Sequence, residues 1–379
     1  MLTKEILDYI EASKEETLEL LKTLCLIPAP SGMEEKRAEF CKKWFEDQGA
    51  EGVYIDRALN VICPINCEGK DRITVFMAHT DTVFPDTEPM PLTEDDIYIR
   101  CPGVGDDTAS LTVLLMLAKY CIEKNIRPKK GILFVCNSCE EGLGNLKGTR
   151  QIFKDFAGRI GRFISFDSNL TSVADRCVGS HRYEVEVRTQ GGHSFGAFGN
   201  DNAIHELSKM VTKIYQIQVP QIDGSKTTYN VGGISGGTSV NTIAQSARML
   251  CEYRSDNVTC LAIMEEKFAA IFREAEAEKI RVLVKRIGER PCQDIDPQKI
   301  EDLKALVVPQ LEAVIGQSIT FKSSSTDCNI PLSMGIPALC IGVYRGGGAH
   351  TREEWIEKHS MVPGLEAAIR VALTLEETV

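Results

Sequence analysis

Two adjacent carboxylates, Glu140 and Glu141, stand shortly after an apolar run, residues 131–136, that has the composition of a buried strand. Side chains that follow one another along an extended chain point to opposite sides. One carboxylate can therefore bind a metal ion while its neighbour faces a water molecule, which suits metal-assisted hydrolysis. For an isolated pair, a solvated acidic turn would be the better interpretation. The recurrence of the pattern elsewhere in the chain decides between the two.

Three further strand-like segments lead into residues of the kinds that bind metals. Residues 72–78 are followed by His79, residues 162–166 by Asp167, and residues 338–344, through a glycine-rich stretch, by His350. Asp106 lies in a glycine-flanked turn before a helical pattern. In open α/β sheets, ligands gather outside the carboxyl ends of the strands. We therefore expect five donors to meet at that edge: His79, Asp106, Glu141, Asp167 and His350.

Two imidazoles and three carboxylates are donors that zinc and similar divalent ions accept. Five donors are more than one catalytic zinc needs, since it usually takes three protein ligands and leaves a position open. The set fits two ions roughly 3.5–4 Å apart that share one bridging carboxylate. Asp106 is the natural bridge, because the glycines beside it allow close approach to both ions. Each residue alone has an ordinary structural explanation, so the prediction rests on the joint pattern.

In the order and approximate spacing of these residues, the chain resembles the co-catalytic zinc exopeptidases. That family includes peptidase T, carboxypeptidase G, aminoacylase and the acetylornithine deacetylases. The matching segments span most of the chain: 79–81, 105–107, 140–142, 167, 192–194 and 350–351. After the bridging aspartate many relatives have a Lys-Gly stretch, whereas this chain continues with residues 107–110, Asp-Thr-Ala-Ser. The departure leaves the subfamily open and the ligand positions intact.

The resemblance implies a role for each residue of the set. His79 and Asp167 would hold one ion, Glu141 and His350 the other, with Asp106 as the bridge, Glu140 as general base and Asp81 orienting the His79 ring. It also implies a cis peptide bond between Asp106 and Asp107. Within the family, an aspartate at the position of Asp167 goes more often with peptidases and a glutamate with deacylases. That difference favours a di- or tripeptidase similar to peptidase T.

Three residues in the middle of the chain resemble family residues that contact the substrate. His193 would reach the active site of the other subunit and stabilise the oxyanion, an effect of about 3 kcal/mol for one donor. Without the resemblance, an ordinary hairpin histidine would be the better interpretation. Asn241 and Arg254 would contact the substrate, since a guanidinium pairs well with a carboxylate. A structural ion pair explains Arg254 almost as well.

The order of the patterns indicates how the chain is organised. Strand and helix patterns alternate to about residue 167, as in a mostly parallel sheet covered by helices. Residues 181–188 alternate strictly between apolar and polar, which is typical of a half-exposed antiparallel strand. The patterns up to about residue 286 have the strand-helix-strand-strand-helix-strand order of a ferredoxin-like unit. His350 lies beyond this unit and must return to the other ligands.

We therefore predict an α/β fold in which a second domain is inserted into a discontinuous first one. Residues 1–178 and 291–379 would form the catalytic domain, with a mixed, mostly parallel sheet covered by helices. Residues 179–290 would form an α+β, ferredoxin-like domain. The resemblance implies that this insertion is a lid and the interface of a homodimer.

Composition narrows the possible partners and location. The net charge of −11 and the pI near 5.2 disfavour nucleic acid or an anionic membrane as the main partner. Residues 1–24 have the pattern of an amphipathic helix, and no apolar stretch approaches the ~20 residues of a membrane span. Fourteen scattered cysteines favour a reduced, cytoplasmic protein with buried thiols. Ser31 and Glu34 have the spacing of a capping box.

The function that we predict is hydrolysis of the amide bond of short peptides by two divalent metal ions. Zinc is the first choice of metal, and cobalt or manganese is the alternative. Deacylation of N-acyl amino acids by the same residues is the first rival prediction. The second rival is a peptide-binding protein without catalysis, which would require damage to the ligands or the base.

Overall fold

The computed structural model describes residues 2–277 and 280–377. The chain divides into two compact units, one from the residues up to Cys177 with those from Asp294 onwards, the other Val178–Gln293. Among the described residues, no helix combines the length and apolarity that crossing a bilayer requires.

Ten α-helices and eighteen strands are found in the described ranges. The helices are α1 Lys4–Ala12, α2 Lys14–Cys25, α3 Glu35–Asp47, α4 Ser110–Glu123, α5 Lys147–Asp155, α6 Ala203–Tyr215, α7 Val258–Ala277, α8 Pro297–Ile315, α9 Asn329–Ser333 and α10 Met361–Glu377. The strands up to residue 188 are β1 Tyr54–Ile55, β2 Val61–Ile65, β3 Ile73–His79, β4 Thr93–Glu94, β5 Tyr98–Arg100, β6 Ile132–Asn137, β7 Ile160–Phe166, β8 Ser172–Cys177 and β9 Gly179–Arg188. The later strands are β10 Gly192–His193, β11 Thr227–Gly236, β12 Thr242–Ile243, β13 Ser246–Ser255, β14 Arg281–Arg290, β15 Thr320–Ser324, β16 Ala338–Ile341, β17 Gly346–Gly347 and β18 Trp355–Glu357.

The first unit is built around a mixed, eight-stranded sheet with the order β1-β2-β6-β3-β7-β16-β8-β15. The central strands β6, β3, β7 and β16 run parallel to one another. Strands β2 and β8 join this block in the antiparallel sense. β16 comes from the second segment of the chain, yet it lies between β7 and β8 of the first segment. This architecture confirms the predicted fold class.

The centre of this sheet is buried on both faces. β3 and β6 are buried along their whole length, as strands covered by helices on both sides require. Phe76 of β3 stacks on Phe134 of β6 with the ring centroids 5.8 Å apart, and Phe166 of β7 lies 5.9 Å from Phe76. Burying each such side chain contributes roughly 1.5–3 kcal/mol. These contacts pack the three strands side by side in the core of the first unit.

A second, small sheet of four short strands was not predicted. Its order is β17-β18-β5-β4, and all its pairings are antiparallel. The strands have two or three residues each, too few for an alternating pattern to be recognised in the sequence. This sheet attaches the loop that carries His350 to residues 98–100 of the first segment.

The second unit contains a four-stranded antiparallel sheet of order β11-β13-β9-β14. Along the chain its elements run β9-α6-β11-β13-α7-β14, which is the predicted ferredoxin-like order. Tyr183, Val185 and Val187 of β9 are buried, and the residues between them are partly exposed, in agreement with the predicted alternation. Asn202 caps α6 by accepting hydrogen bonds from the backbone of Ile204 and His205.

Two local features differ from or refine the sequence prediction. The pattern in residues 1–24 forms two helices, α1 and α2, rather than one, with Ser13 between them. The Ser13 hydroxyl donates to the carbonyl oxygen of Tyr9 at 2.8 Å, a bond that commonly bends helices. All fourteen cysteines are buried free thiols. They include Cys136 and Cys139, which have Cys-x-x-Cys spacing.

Candidate metal centre

The parallel strands of the first unit bring the predicted donors to one edge of the sheet. Strands β6, β3 and β7 are direct neighbours, so their carboxyl ends lie side by side. His79 ends β3, Asp167 follows β7, and Glu140 and Glu141 follow β6 after a short turn. That turn has Cys139 in the left-handed region, with φ of 56°. These four residues therefore lie at or just after strand ends, as the sequence predicted.

Asp106 lies between the two histidines. Its Oδ1 atom is 3.1 Å from Nε2 of His79, and its Oδ2 atom is 3.1 Å from Nε2 of His350. The turn that carries it, Val104–Ala109, is irregular, and the peptide bond from Asp106 to Asp107 is cis, as the family resemblance implies. His350 Nε2 also lies 3.1 Å from Oε1 of Glu141. One carboxylate thus faces both halves of the donor set.

The hydrogen bonds of His79 show that this arrangement fits a cation. Its Nδ1 lies 2.9 Å from the carbonyl oxygen of Asp81, which accepts only, so the proton of a neutral ring belongs on Nδ1. Nε2 then presents a lone pair to the Asp106 carboxylate, a contact that repels unless a proton or a metal ion mediates it. Metal-binding histidines usually donate their other ring N–H to a carbonyl or carboxylate in this way.

The donors form three overlapping groups, each with its ligand atoms within 4.8 Å of one another. The groups are His79, Glu140 and Glu141; His79, Asp107 and Asp167; and Asp106, Glu141 and His350. Two carboxylate charges at such a distance repel by at least roughly 3 kcal/mol at an effective dielectric constant near 20. Divalent cations would relieve this repulsion, and the oxygen and nitrogen donors suit zinc.

The pKa values of the metal-free site show the same repulsion between carboxylates. Burial raises the pKa of Asp167 well above its usual value, and the charges of Asp106 and Asp107 raise it further. Burial also raises the pKa of Asp107, which His79 only partly offsets. For His79 burial acts downwards, but the carboxylates, Asp107 first, outweigh it and hold the pKa well above 6.5. Hydrogen bonds that His350 donates to Asp106 and then to Glu141 raise the pKa of His350 to about 10. Without metal ions, the site therefore retains protons.

Asp81 holds the two glutamates by their backbone. Its Oδ1 accepts the N–H of Glu140 and its Oδ2 the N–H of Glu141, each at 2.9 Å. Oδ2 also accepts the hydroxyl of Ser31 at 2.6 Å. The carboxylate is 3.4 Å from Nδ1 of His79, farther than the Asp81 carbonyl oxygen. The predicted contact between Asp81 and His79 is thus made most closely by the Asp81 backbone, while its side chain positions the glutamates.

The predicted capping box at Ser31 and Glu34 is wrong. The Ser31 hydroxyl binds Asp81, and helix α3 begins at Glu35 without a side-chain cap. Glu34 is fully buried, and its Oε1 accepts the N–H groups of Gly32 at 2.8 Å and Cys139 at 3.0 Å. Ser31 and Glu34 therefore bind buried polar groups near Glu140 and Glu141 instead of capping helix α3.

Several further polar residues around the site were given no definite role from the sequence. Asp107 accepts the N–H of His79 at 3.0 Å through Oδ2, and its buried Oδ1 has no hydrogen-bond partner among the described residues. Glu354 accepts backbone N–H groups of the Asp106 turn. Asp327 accepts the side-chain amide of Asn137, the last residue of β6, at 2.7 Å. In the sequence, Asp107 directly follows Asp106 and Glu354 lies four residues after His350. This nearness to proposed ligands is the one sequence signal that could have pointed to them.

His193, Asn241 and Arg254 belong to the second unit. β10 pairs with β12, and the N–H of Ser194 donates to the carbonyl oxygen of Asn241 at 2.9 Å, so the His193 and Asn241 segments are adjacent. Both of these side chains are exposed. Nδ1 of His193 accepts the N–H groups of Phe195 and Gly196, each at 3.3 Å. In a neutral ring this places the proton on Nε2, which is then a hydrogen-bond donor.

The guanidinium of Arg254 is paired within the second unit. Its Nε lies 2.7 Å from one carboxylate oxygen of Glu252 and its Nη2 lies 3.1 Å from the other. Arg182 also pairs with Glu252 at 3.2 Å. The structural ion pair, which the sequence left open as the alternative role of Arg254, therefore describes its observed contacts.

Known proteins are similar to this chain in sequence and in fold. A succinyl-diaminopimelate desuccinylase of Corynebacterium glutamicum is 25% identical over 349 residues, 88% of this chain and 90% of that protein. The crystal structure of aminopeptidase PepT from Bacillus cereus superposes with a TM-score of 0.75 at 21% identity, covering 96% of this chain and 98% of that one. A tripeptidase from Staphylococcus aureus gives a TM-score of 0.78 at 20% identity, covering 96% and 99%.

The similarity extends across nearly the whole chain, including both segments of the first unit. The sequence profile of peptidase family M20/M25/M40 matches residues 75–374. This range begins within β3 and ends within α10, so it contains all five predicted donors and Glu140. The chain is therefore a metal-dependent hydrolase that belongs to peptidase family M20/M25/M40.

Proposed function

We propose that the protein is an exopeptidase that cleaves short peptides with the help of two divalent ions, zinc first and cobalt or manganese as alternatives. His79 and Asp167 would hold one ion, Glu141 and His350 the other, and Asp106 would bridge them. The observation that carries the proposal is the position of Asp106, whose two oxygens each lie 3.1 Å from the Nε2 atom of a different histidine. A single-ion site would not require both oxygens to be directed in this way.

Divalent ions in this site would supply Lewis acidity, which polarises the scissile carbonyl and acidifies the attacking water. Glu140 then has the position of the general base. Glu140 is 4% exposed, and its side chain belongs to the same group as His79 and Glu141. Asp81 fixes its backbone through the N–H bond at 2.9 Å. Glu140 takes a proton from the water and returns it to the leaving amine.

His193 is proposed to stabilise the oxyanion at the active site of the other subunit of a homodimer. The assignment requires a ring nitrogen that donates, and the two backbone N–H groups bound at Nδ1 support Nε2–H. Asn241, on the adjacent segment, would contact the same substrate. Arg254 remains a weaker candidate for substrate binding, because Glu252 occupies two of its nitrogens.

The second unit would serve as the lid and the dimerisation domain. We place this domain at residues 179–290, with residues 1–178 and 291–379 forming the catalytic domain. The ferredoxin-like sheet, which forms a compact unit of its own, supports this division. The free thiols of all fourteen cysteines support a reduced, cytoplasmic location.

Short peptides are the proposed substrates for two reasons. Asp167 is an aspartate, the residue that goes more often with peptidases in this family. The aminopeptidase and the tripeptidase named above also share the fold over nearly the whole chain. The second candidate is amide hydrolysis of an N-acylated amino acid by the same residues. The desuccinylase that is 25% identical over 349 residues favours this alternative.

One assay separates the two candidates. The full-length protein, loaded with zinc, cobalt or manganese, is incubated with a tripeptide library and separately with acetylated and succinylated amino acids. We expect free amino acids and dipeptides from the library at a kcat/KM far above that for the acylated compounds. The reverse ratio would establish the deacylase, and turnover of neither class, together with fewer than two bound ions, would reject the hydrolytic site.

A further inference from the structure

We propose that Glu354 is a positioning residue that holds the Asp106 turn in the shape required for metal binding. The inference rests on the proposed two-metal function and adds to it a residue that binds no ion itself. Glu354 lies four residues after His350 and is 1% exposed. It acts on the bridging aspartate through the backbone.

The carboxylate of Glu354 accepts three backbone N–H groups from residues 103–106. Its Oε2 accepts the N–H of Gly103 at 2.7 Å. Its Oε1 accepts the N–H groups of Gly105 at 2.9 Å and Asp106 at 2.7 Å. Backbone N–H groups that converge in this manner form a concavity that favours an anion, and here an internal carboxylate fills it. Hydrogen bonds to an ionised acceptor are shorter and stronger than neutral ones.

The fit around this carboxylate is tight. A Cβ atom on Gly105 would lie 3.0 Å from Oε1 of Glu354 and 2.9 Å from the ring of Tyr344. Gly103 has a φ of +75°, in the region that favours glycine. The glycines beside Asp106 therefore allow Glu354 to approach the backbone. The sequence-based interpretation gave them a different purpose, approach of the chain to the metal ions.

The same segment also supplies a metal-site residue. The imidazole of His350 faces Oδ2 of Asp106. A few residues later the chain enters strand β18, which pairs with β5. The carbonyl oxygen of Glu354 accepts the N–H of Cys101 at 3.2 Å. Glu354 thus fixes the Asp106 turn relative to the loop of His350 by both its side chain and its backbone. Without the side chain, the spacing of Asp106 and His350 would no longer be set before an ion binds.

The test compares Glu354→Ala and Glu354→Gln with Glu353→Gln, which changes the same charge at the neighbouring, exposed position. Zinc binding to each metal-free, full-length variant is titrated calorimetrically, and kcat and KM are measured on the best tripeptide. We expect Glu354→Ala to bind at least one of the two ions about 10–100-fold more weakly, in the range found for residues that orient metal ligands. Its kcat falls with little change in KM, and Glu353→Gln matches the wild type.

Glu354→Gln separates positioning from folding. The amide has the size of the carboxylate and keeps one acceptor oxygen, but its NH₂ group faces N–H donors. We expect a zinc affinity between those of the wild type and the alanine variant, in a folded protein whose Tm is lower than that of the wild type because at least one buried N–H donor loses its acceptor. If Glu354→Ala does not fold, the glutamine variant carries the test alone.

Two results would overturn the assignment. Unchanged affinity for both ions in the Glu354 variants would do so, as would a drop in thermal stability with unchanged zinc binding, which describes a purely structural role. The wild type distinguishes this failure from that of the proposed function. If the wild type binds two ions and the variants match it, only Glu354 is wrongly assigned. If the wild type binds fewer than two, the two-metal function fails and the assignment fails with it.

Discussion

The Nε2 atom of His79 lies 3.1 Å from Oδ1 of Asp106, although the hydrogen bond at Nδ1 leaves Nε2 of the neutral ring without a proton. The pair is therefore stable only with a positive charge between or on its members. A proton meets this need in the metal-free chain, and a divalent ion meets it in the loaded chain. Metal binding should consequently compete with protonation.

The first prediction is that the metal-free protein loses stability as the pH rises from about 6 to 10. The folded-state pKa of His350 is raised to about 10 and that of His79 is raised well above 6.5. A group with a raised pKa contributes stability that is fully present below its unfolded pKa of about 6.5 and is lost as the pH rises through the folded value. Calorimetric Tm values of chelated and zinc-loaded protein check this across the range.

The difference between the two Tm curves isolates the site, because all other groups titrate in both samples. We expect the gap to widen with pH, since the loaded site no longer needs the protons. A gap that stays constant from pH 6 to 10 would contradict the prediction.

The second prediction concerns Glu140→Gln. The variant should bind both ions with wild-type affinity, while kcat falls by about 10²–10⁴, the usual contribution of a general base. Metal content by elemental analysis and steady-state kinetics on a tripeptide measure the two effects. Glu51→Gln, at an exposed carboxylate of the first unit, is the matched control. Wild-type turnover in Glu140→Gln would end the assignment of the base.

The third prediction is that Asp81→Asn destabilises the fold more than Ser31→Ala. An asparagine cannot accept the N–H groups of both Glu140 and Glu141 and the Ser31 hydroxyl, so at least one buried donor is left unpaired, at a cost of about 1–3 kcal/mol. Ser31→Ala removes only one of these bonds and should lower the free energy of unfolding by about 1 kcal/mol. Urea unfolding of the metal-free variants compares them, and equal losses would count against the proposed support of the glutamates.

The fourth prediction tests the contribution of His193 to the other subunit. His193→Ala and Glu140→Gln are each expected to be nearly inactive alone. After subunit exchange, half of the dimers are mixed and each has one intact site, so activity should return to about a quarter of the wild-type value. Light scattering tests whether the protein is a dimer, and a mixture that stays inactive although its subunits exchange would show that His193 acts elsewhere.

The sequence was sufficient for the features that local patterns determine. Buried strands such as β3 and β6 are continuous apolar runs, so their ends, and with them His79 and Glu141, could be located. The strict alternation in residues 181–188 likewise predicted the antiparallel strand β9.

Contacts between distant backbone groups could not be predicted in the same way. Glu354 binds N–H groups about 250 residues earlier in the chain, and no side-chain pattern marks such partners. Ser31 and Glu34 had a sound local interpretation as a helix cap, but buried groups near Asp81 and Cys139 recruit them instead. Local propensity was overruled there by the requirement that buried polar groups be paired.

The insertion of β16 between β7 and β8 also has a consequence for biosynthesis. A ribosome that has completed the first 330 residues has made four of the five proposed metal-binding side chains, but the middle of the sheet still lacks a strand. Neither β16 nor His350 has been synthesised at that stage. The nascent chain therefore cannot hydrolyse anything in the manner proposed here, and activity begins only after translation of the final segment.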